Sequence, residues 1–69
     1  MGQIELLAAV EDRLSASQAR AAAQIAVVRI LSEGGYDAAE AERRLRGYMS
    51  ALADLRRQRW ALKAEQGNL

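Results

Sequence analysis

The sequence predicts an all-α fold, an antiparallel two-helix hairpin, on three observations. Apolar residues recur at alternating three- and four-residue intervals over two long stretches. A single Gly-Gly-Tyr-Asp segment at 34–37 separates those stretches into near-equal halves. No proline stands anywhere in the 69 residues to interrupt either half. The expected layout is one helical-hairpin domain over residues 1–69, with a helix over about 3–33, a turn at 34–37 and a helix over about 38–66. Each helix would be about 45 Å long at 1.5 Å per residue. Equal lengths around one short turn describe an αα-hairpin.

In the first helix, Leu7, Val10, Leu14, Ser17, Ala21, Gln24, Val28 and Leu31 keep the heptad rhythm of a coiled-coil seam. Its middle is small or polar where a sturdy core would want leucine. Ser15 and Gln18 form a capping-box pattern that would restart the helix near Ala16. The strongly helix-forming run Ala19–Ala23 favours continuity. At the turn, either glycine can take the left-handed conformation that ends a helix. Asp37, with Glu40 three residues on, is a capping-box-like start for the second helix. Asp37, Glu40 and Glu42 also place negative charge at the positive end of its dipole.

The second helix carries the cleaner pattern: Ala38, Ala41, Leu45, Tyr48, Leu52, Leu55, Arg59 and Leu62, broken only by Arg59. Met49 widens that stripe on one side. Gly67-Asn68 is the expected final stop. Tyr36 is expected to pack on the turn, and Tyr48 to sit in the seam with its hydroxyl outward.

The segment Ala21–Leu31 is apolar on more than one face. Val28 and Leu31 belong to the seam, whereas Ala16, Ala19, Ala23, Val27 and Ile30 form a second apolar stripe. A helix apolar nearly all round is a buried helix, and one hairpin partner cannot cover both sides. A second copy of the chain, completing a four-helix bundle, is the economical cover. The expected oligomer contacts are Ala23, Val27, Ile30 and Met49. Ile25–Ile30 is rich in β-branched residues, but no second candidate strand exists to pair with it.

Composition excludes much chemistry. The chain has no cysteine or histidine, which removes disulfides, Cys/His zinc sites and the common nucleophile–base pairings. The four hydroxyl side chains other than tyrosine (Ser15, Ser17, Ser32 and Ser50) have no base near in sequence. Glu11 and Asp12 are helix neighbours that point apart, so they form no acid–base pair. Gly34-Gly35 follows no strand and is no phosphate loop. No catalytic, cofactor-binding or metal-binding residue is expected, and no cofactor.

The balance of 10 Lys+Arg against 9 Asp+Glu, net +1, offers no strong pull toward polyanions. Seven of the cations lie in the second half with five acids, for +2; the first half holds three cations and four acids, for −1. Glu40–Arg44 and Glu42–Arg46 are i,i+4 pairs in the favourable order, each worth about 0.2–0.5 kcal/mol. Arg56, Arg57, Arg59 and Lys63 around Trp60 are less compensated. Arginine beside tryptophan can grip phosphate and stack on bases. The blander alternative lays Arg56 over Trp60 in a cation–π contact, with Arg59 snorkelling from the seam. Trp60 lies off the seam, where an aromatic marks a contact with another chain or covers the hairpin end. Arg56, Arg57, Trp60 and Lys63 are therefore the candidate partner contacts.

Gln24-Ile25, Leu31, Gly35-Tyr36-Asp37, Ala41-Glu42, Leu45, Leu52 and Leu55 through Arg59 resemble a family of short uncharacterised bacterial helical-hairpin proteins. Their turn reads like G-x-D-T-x-x-A-E. The resemblance covers about residues 22–62, with Asp37-Ala38 where that family has Asp-Thr. It implies a helical hairpin and no assigned activity. Plasmid RNA-binding four-helix dimers are similar in length and layout alone, and no motif is shared with them.

The N-terminal Met1-Gly2-Gln3-Ile4-Glu5-Leu6 has no cationic segment before an apolar one, against a signal peptide. Leu6 stands where a myristoylation signal prefers Ser or Thr. The longest apolar stretch, Ala21–Leu31, is interrupted by Gln24 and Arg29 and is far short of the ~20 residues that span a bilayer. The expectation is a cytoplasmic, non-enzymatic protein that self-associates and binds another protein as adaptor, regulator or assembly subunit, with no membrane partner. The alternative is a nucleic-acid-binding regulator using Arg56, Arg57, Arg59 and Lys63.

Overall fold

A computed structural model describes residues 2–67, so Asn68 of the expected final stop lies outside the described residues. Two helices, α1 (Gln3–Glu33) and α2 (Ala39–Gly67), pack side by side as a hairpin measuring 54 × 15 × 14 Å. Helix α1 runs unbroken through Ser15–Ser17, so the Ser15/Gln18 restart does not occur. The alanine-rich sequence on either side holds the helix through the two serines.

The turn is a Schellman closure. Tyr36 donates its N–H to the Leu31 carbonyl at 2.8 Å, and Gly35 donates to the Ser32 carbonyl at 3.2 Å. Gly35 takes the left-handed conformation, φ +76°, that an L side chain adopts only with strain. The Tyr36 ring lies over Gly34, close enough that a Cβ there would sit 2.9 Å from it. Tyr36 thus packs on the turn while its outer face meets solvent.

Helix α2 starts one residue later than expected, and its cap is simpler than a capping box. Asp37 Oδ1 accepts the Ala39 N–H at 2.9 Å, an Asx-type turn. Glu40 faces forward to Arg44 at 3.5 Å instead of back to Asp37. The i,i+4 partner is within reach once the first turn has formed, and it competes for the same carboxylate. At the start of α1, Glu5 accepts the Gly2 N–H at 2.7 Å, tying down a donor that the helix itself leaves free.

The core is the heptad seam. Val10, Leu14, Ala21, Ala38, Ala41 and Leu52 are buried, with Leu52 at 3% and Leu14 and Ala21 at 4% the least exposed. Leu45, Tyr48 and Leu55 pack against the Leu14–Ala21–Leu52 cluster. Every α1 residue named by the periodicity is buried or half-buried, and so is every one in α2, Arg59 included. The polar seam position Gln24 is satisfied across the interface, its Nε2 donating to the Ala41 carbonyl at 2.9 Å. That bond supports the register of the two helices at the turn end, and Leu14 with Leu52 supports it at mid-length.

Candidate interaction surfaces

Residues seven apart stay on one side of a heptad seam, which sorts the exposed surface into two long faces. On one face α1 contributes the register Leu6, Arg13, Arg20, Val27, flanked by Ala9, Ala16, Ala23, Ile30. From α2 come Arg44, Ala51, Gln58, flanked by Glu40, Gly47, Asp54, Ala61. Two grooves open on this face. One, of about 620 Å³, is lined by Leu6, Ala9, Val10, Arg13, Gln58, Ala61 and Leu62 at the open end of the hairpin. The other, of about 350 Å³, is lined by Gln24, Val27, Leu31, Asp37, Glu40, Ala41 and Arg44 at the turn end.

The opposite face carries Ile4, Glu11, Gln18 and Ile25 from α1, and Glu42, Met49, Arg56 and Lys63 from α2. An ion pair joins the helices there, Lys63 Nζ to Glu11 Oε1 at 3.9 Å. Ile4 and Trp60 are its most exposed apolar residues, at 77% and 75%.

The expected oligomer contacts therefore divide. Ala23, Val27 and Ile30 lie together on the grooved face, with Ile30 68% exposed. Met49 is exposed too but belongs to the opposite face, on the other side of the α2 seam. No single flat contact holds all four. The residues that accompany Ala23, Val27 and Ile30 instead are Leu6, Ala9, Gly47 and Ala51. The seven-residue spacing of Ala9, Ala16 and Ala23 carried that signal in the sequence. The pairing of faces across the hairpin did not.

The Arg/Trp cluster also divides. Arg57 turns back to form an ion pair with Asp54 one turn earlier. Lys63 reaches Glu11 on α1, and the Arg59 stem is half-buried in the seam. Trp60 stands largely in solvent, so its ring is not covered by Arg56. Of the two expected i,i+4 pairs, Glu40–Arg44 forms; among the described residues no ion pair joins Glu42 to Arg46.

Among the described residues, no three acidic side chains gather closely enough to hold a metal ion, and no helix is long and apolar enough to cross a membrane. Neither groove contains a nucleophile beside a base. What the surface offers is contact area. No protein-family model, curated protein or solved structure matches the chain, so a functional reading rests on these two faces alone.

Proposed function

We propose that the chain is a cytoplasmic, non-enzymatic helical protein that self-associates and binds another protein as an adaptor, regulator or assembly subunit. The observation that carries this reading is the back of α1. Val27 and Ile30 stand exposed on an alanine-lined face, and Ile25 on the opposite side of the same helix. Covering apolar surface is worth about 25 cal/mol per Å². A chain of this size buries too little on its own to leave such area in water without cost.

Two functions are divided between the faces. The stripe through Ala23, Val27 and Ile30 serves self-association, and Trp60, framed by Arg56, Arg57 and Lys63, serves the protein partner. Nucleic acid is the weaker reading, because Arg57 and Lys63 already have carboxylate partners with which a phosphate would have to compete.

Light scattering at micromolar concentration tests the first part. A dimer or larger species is expected, and a folded monomer of 7.6 kDa overturns it. The chain has a single tryptophan, so Trp60 fluorescence reports on the other face directly. Duplex and single-stranded oligonucleotides at two salt concentrations are expected to leave it unchanged. Salt-sensitive binding, lost in an Arg56→Gln/Arg57→Gln variant, would establish the nucleic-acid reading instead. Once a protein partner is in hand, Trp60→Ala is expected to weaken the complex by about 2 kcal/mol or more. The double glutamine variant should cost less, because rim charges contribute little.

A further inference from the structure

Gly47 has no evident reason to be glycine within one hairpin. It sits mid-way along α2, in ordinary helical conformation, and a Cβ built on it meets nothing within 4 Å. A glycine in a helix interior costs about 1 kcal/mol relative to alanine. A neighbouring backbone that approaches closely would account for it, and Gly47 lies on the grooved face between the two grooves.

We propose that this face is where a second copy of the chain packs, the two hairpins face to face and antiparallel, with Gly47 of each against Ala51 of the other. The proposal rests on the self-association reading and specifies its surface and register. One two-fold axis across the middle of the rod lays α1 on α1 and α2 on α2. In α1, pairs symmetric about position 18 then meet: Leu6 faces Ile30 of the second copy, and Ala9 faces Val27. In α2, pairs symmetric about position 49 meet: Gly47 faces Ala51, and Asp54 faces Arg44.

These two centres lie at one level of the hairpin. The Gln24–Ala41 hydrogen bond, the Leu14–Leu52 cluster and the groove shared by Leu6 and Leu62 place position 18 beside position 49 to within about two residues. A single axis therefore satisfies both helices.

Apolar matching in α1 selects this arrangement over its competitor, with Arg13 and Arg20 facing Ala23 and Ala16 of the second copy, and charge supports it in α2. The antiparallel register brings Asp54 and Arg44 together twice, linking the Arg57–Asp54 and Arg44–Glu40 pairs of the two copies into networks. Turning the second copy about the long axis instead would lay the apolar stripe of α1 on Glu40 and Arg44. Area agrees as well. A face of 54 × 15 Å is long enough to accommodate the about 800 Å² per partner of a standard specific interface.

Absence of native cysteine makes the register directly readable. The experiment mixes Ala9→Cys and Val27→Cys variants, both exposed positions, with a short bismaleimide reagent, while sedimentation equilibrium measures association separately. Cross-linked dimer is expected from the mixture and not from either variant alone. Identical positions would be about 27 Å apart along the rod, eighteen residues at 1.5 Å each. A dimer that gives no mixed cross-link, or one that cross-links a single variant with itself, overturns the register and leaves self-association standing. A monomer in sedimentation overturns both. Gly47→Leu supplies a second readout, because it replaces glycine by a strong helix former at a position open in one hairpin. It is expected to raise helix stability and weaken the dimer at least tenfold; a dimer as tight as the original overturns the proposal.

Discussion

The two helices are nearly equal in length, 31 and 29 residues, and unlike in every other respect. Helix α1 carries seven charged residues and α2 carries eleven. Along the seam α2 presents Leu45, Leu52, Leu55 and Leu62, whereas the middle of α1 answers with Ser17, Ala21 and Gln24. On the grooved face the contrast reverses in part, with Ala16, Ala23, Val27 and Ile30 from α1 against Glu40, Arg44, Asp54 and Gln58 from α2. The leucines of α2 all lie in the seam against the partner helix, and of its large apolar residues only Met49 and Trp60 are exposed. In α1 the apolar residues are spread over more than one face, so part of that helix's hydrophobic content is unused by a single hairpin. The difference teaches that the heptad seam accounts for the leucines of α2 but not for the exposed Ile25, Val27 and Ile30 of α1.

Truncating the seam should show the largest effect, and should show it unequally. Leu52→Ala removes the most buried leucine of the core and is expected to cost about 2–5 kcal/mol, enough to unfold a hairpin this small at 25 °C. At Ala21, the small α1 residue in the same cluster as Leu14, a change to Gly should cost about 1 kcal/mol, chiefly through helix propensity. Circular dichroism during urea unfolding, at one fixed protein concentration, measures both. Equal losses would mean that the two sides of the seam contribute alike.

The backs of the helices should respond in the opposite sense. Val27→Asp or Ile30→Asp places an unpaired charge in the expected contact and should weaken association by about 3 kcal/mol or more, over a hundredfold. Ser50→Asp, exposed on the back of α2, should leave association within about 0.5 kcal/mol of the original. If all three variants sediment like the unaltered chain, the back of α1 faces water and the contrast has no functional meaning.

Smaller effects sharpen the junction between the helices. Gly35→Ala forces an L side chain to φ +76° and should cost about 1 kcal/mol. Gln24→Ala removes the bond to the Ala41 carbonyl, again for about 1 kcal/mol. Both are expected as shifts in the urea midpoint with unchanged helix content. A loss of helicity from Gln24→Ala would mean that this bond sets the register and does more than support it.

Periodicity alone made most of the fold legible. A spacing of three and four names one side of a helix wherever it occurs, and burial follows the named residues from Leu7 to Leu31 and from Ala38 to Leu62. The paired glycines likewise announced the turn, since few other residues accept a positive φ there. The Asp37 cap was readable as to residue but not as to form, because Glu40 had two candidate partners and distance chose Arg44.

The site was legible only as a list of exposed apolar residues. Which of them share a face depends on how one helix is rotated and shifted against the other, and no spacing within a single helix contains that. Ala23, Val27 and Ile30 share a face because they lie on one helix, where the sequence fixes their angular relation. Met49 lies on the other helix, and its relation to them across the seam is not contained in the sequence of either. The sequence by itself determined two amphipathic helices, the turn between them and the surplus of apolar surface on α1. Packing decided the rest: it set Lys63 against Glu11 on one face and aligned Gly47 and Ala51 with the alanine stripe on the other. The periodicity of a helix is a property of its own backbone, while a face of a hairpin is a relation between two.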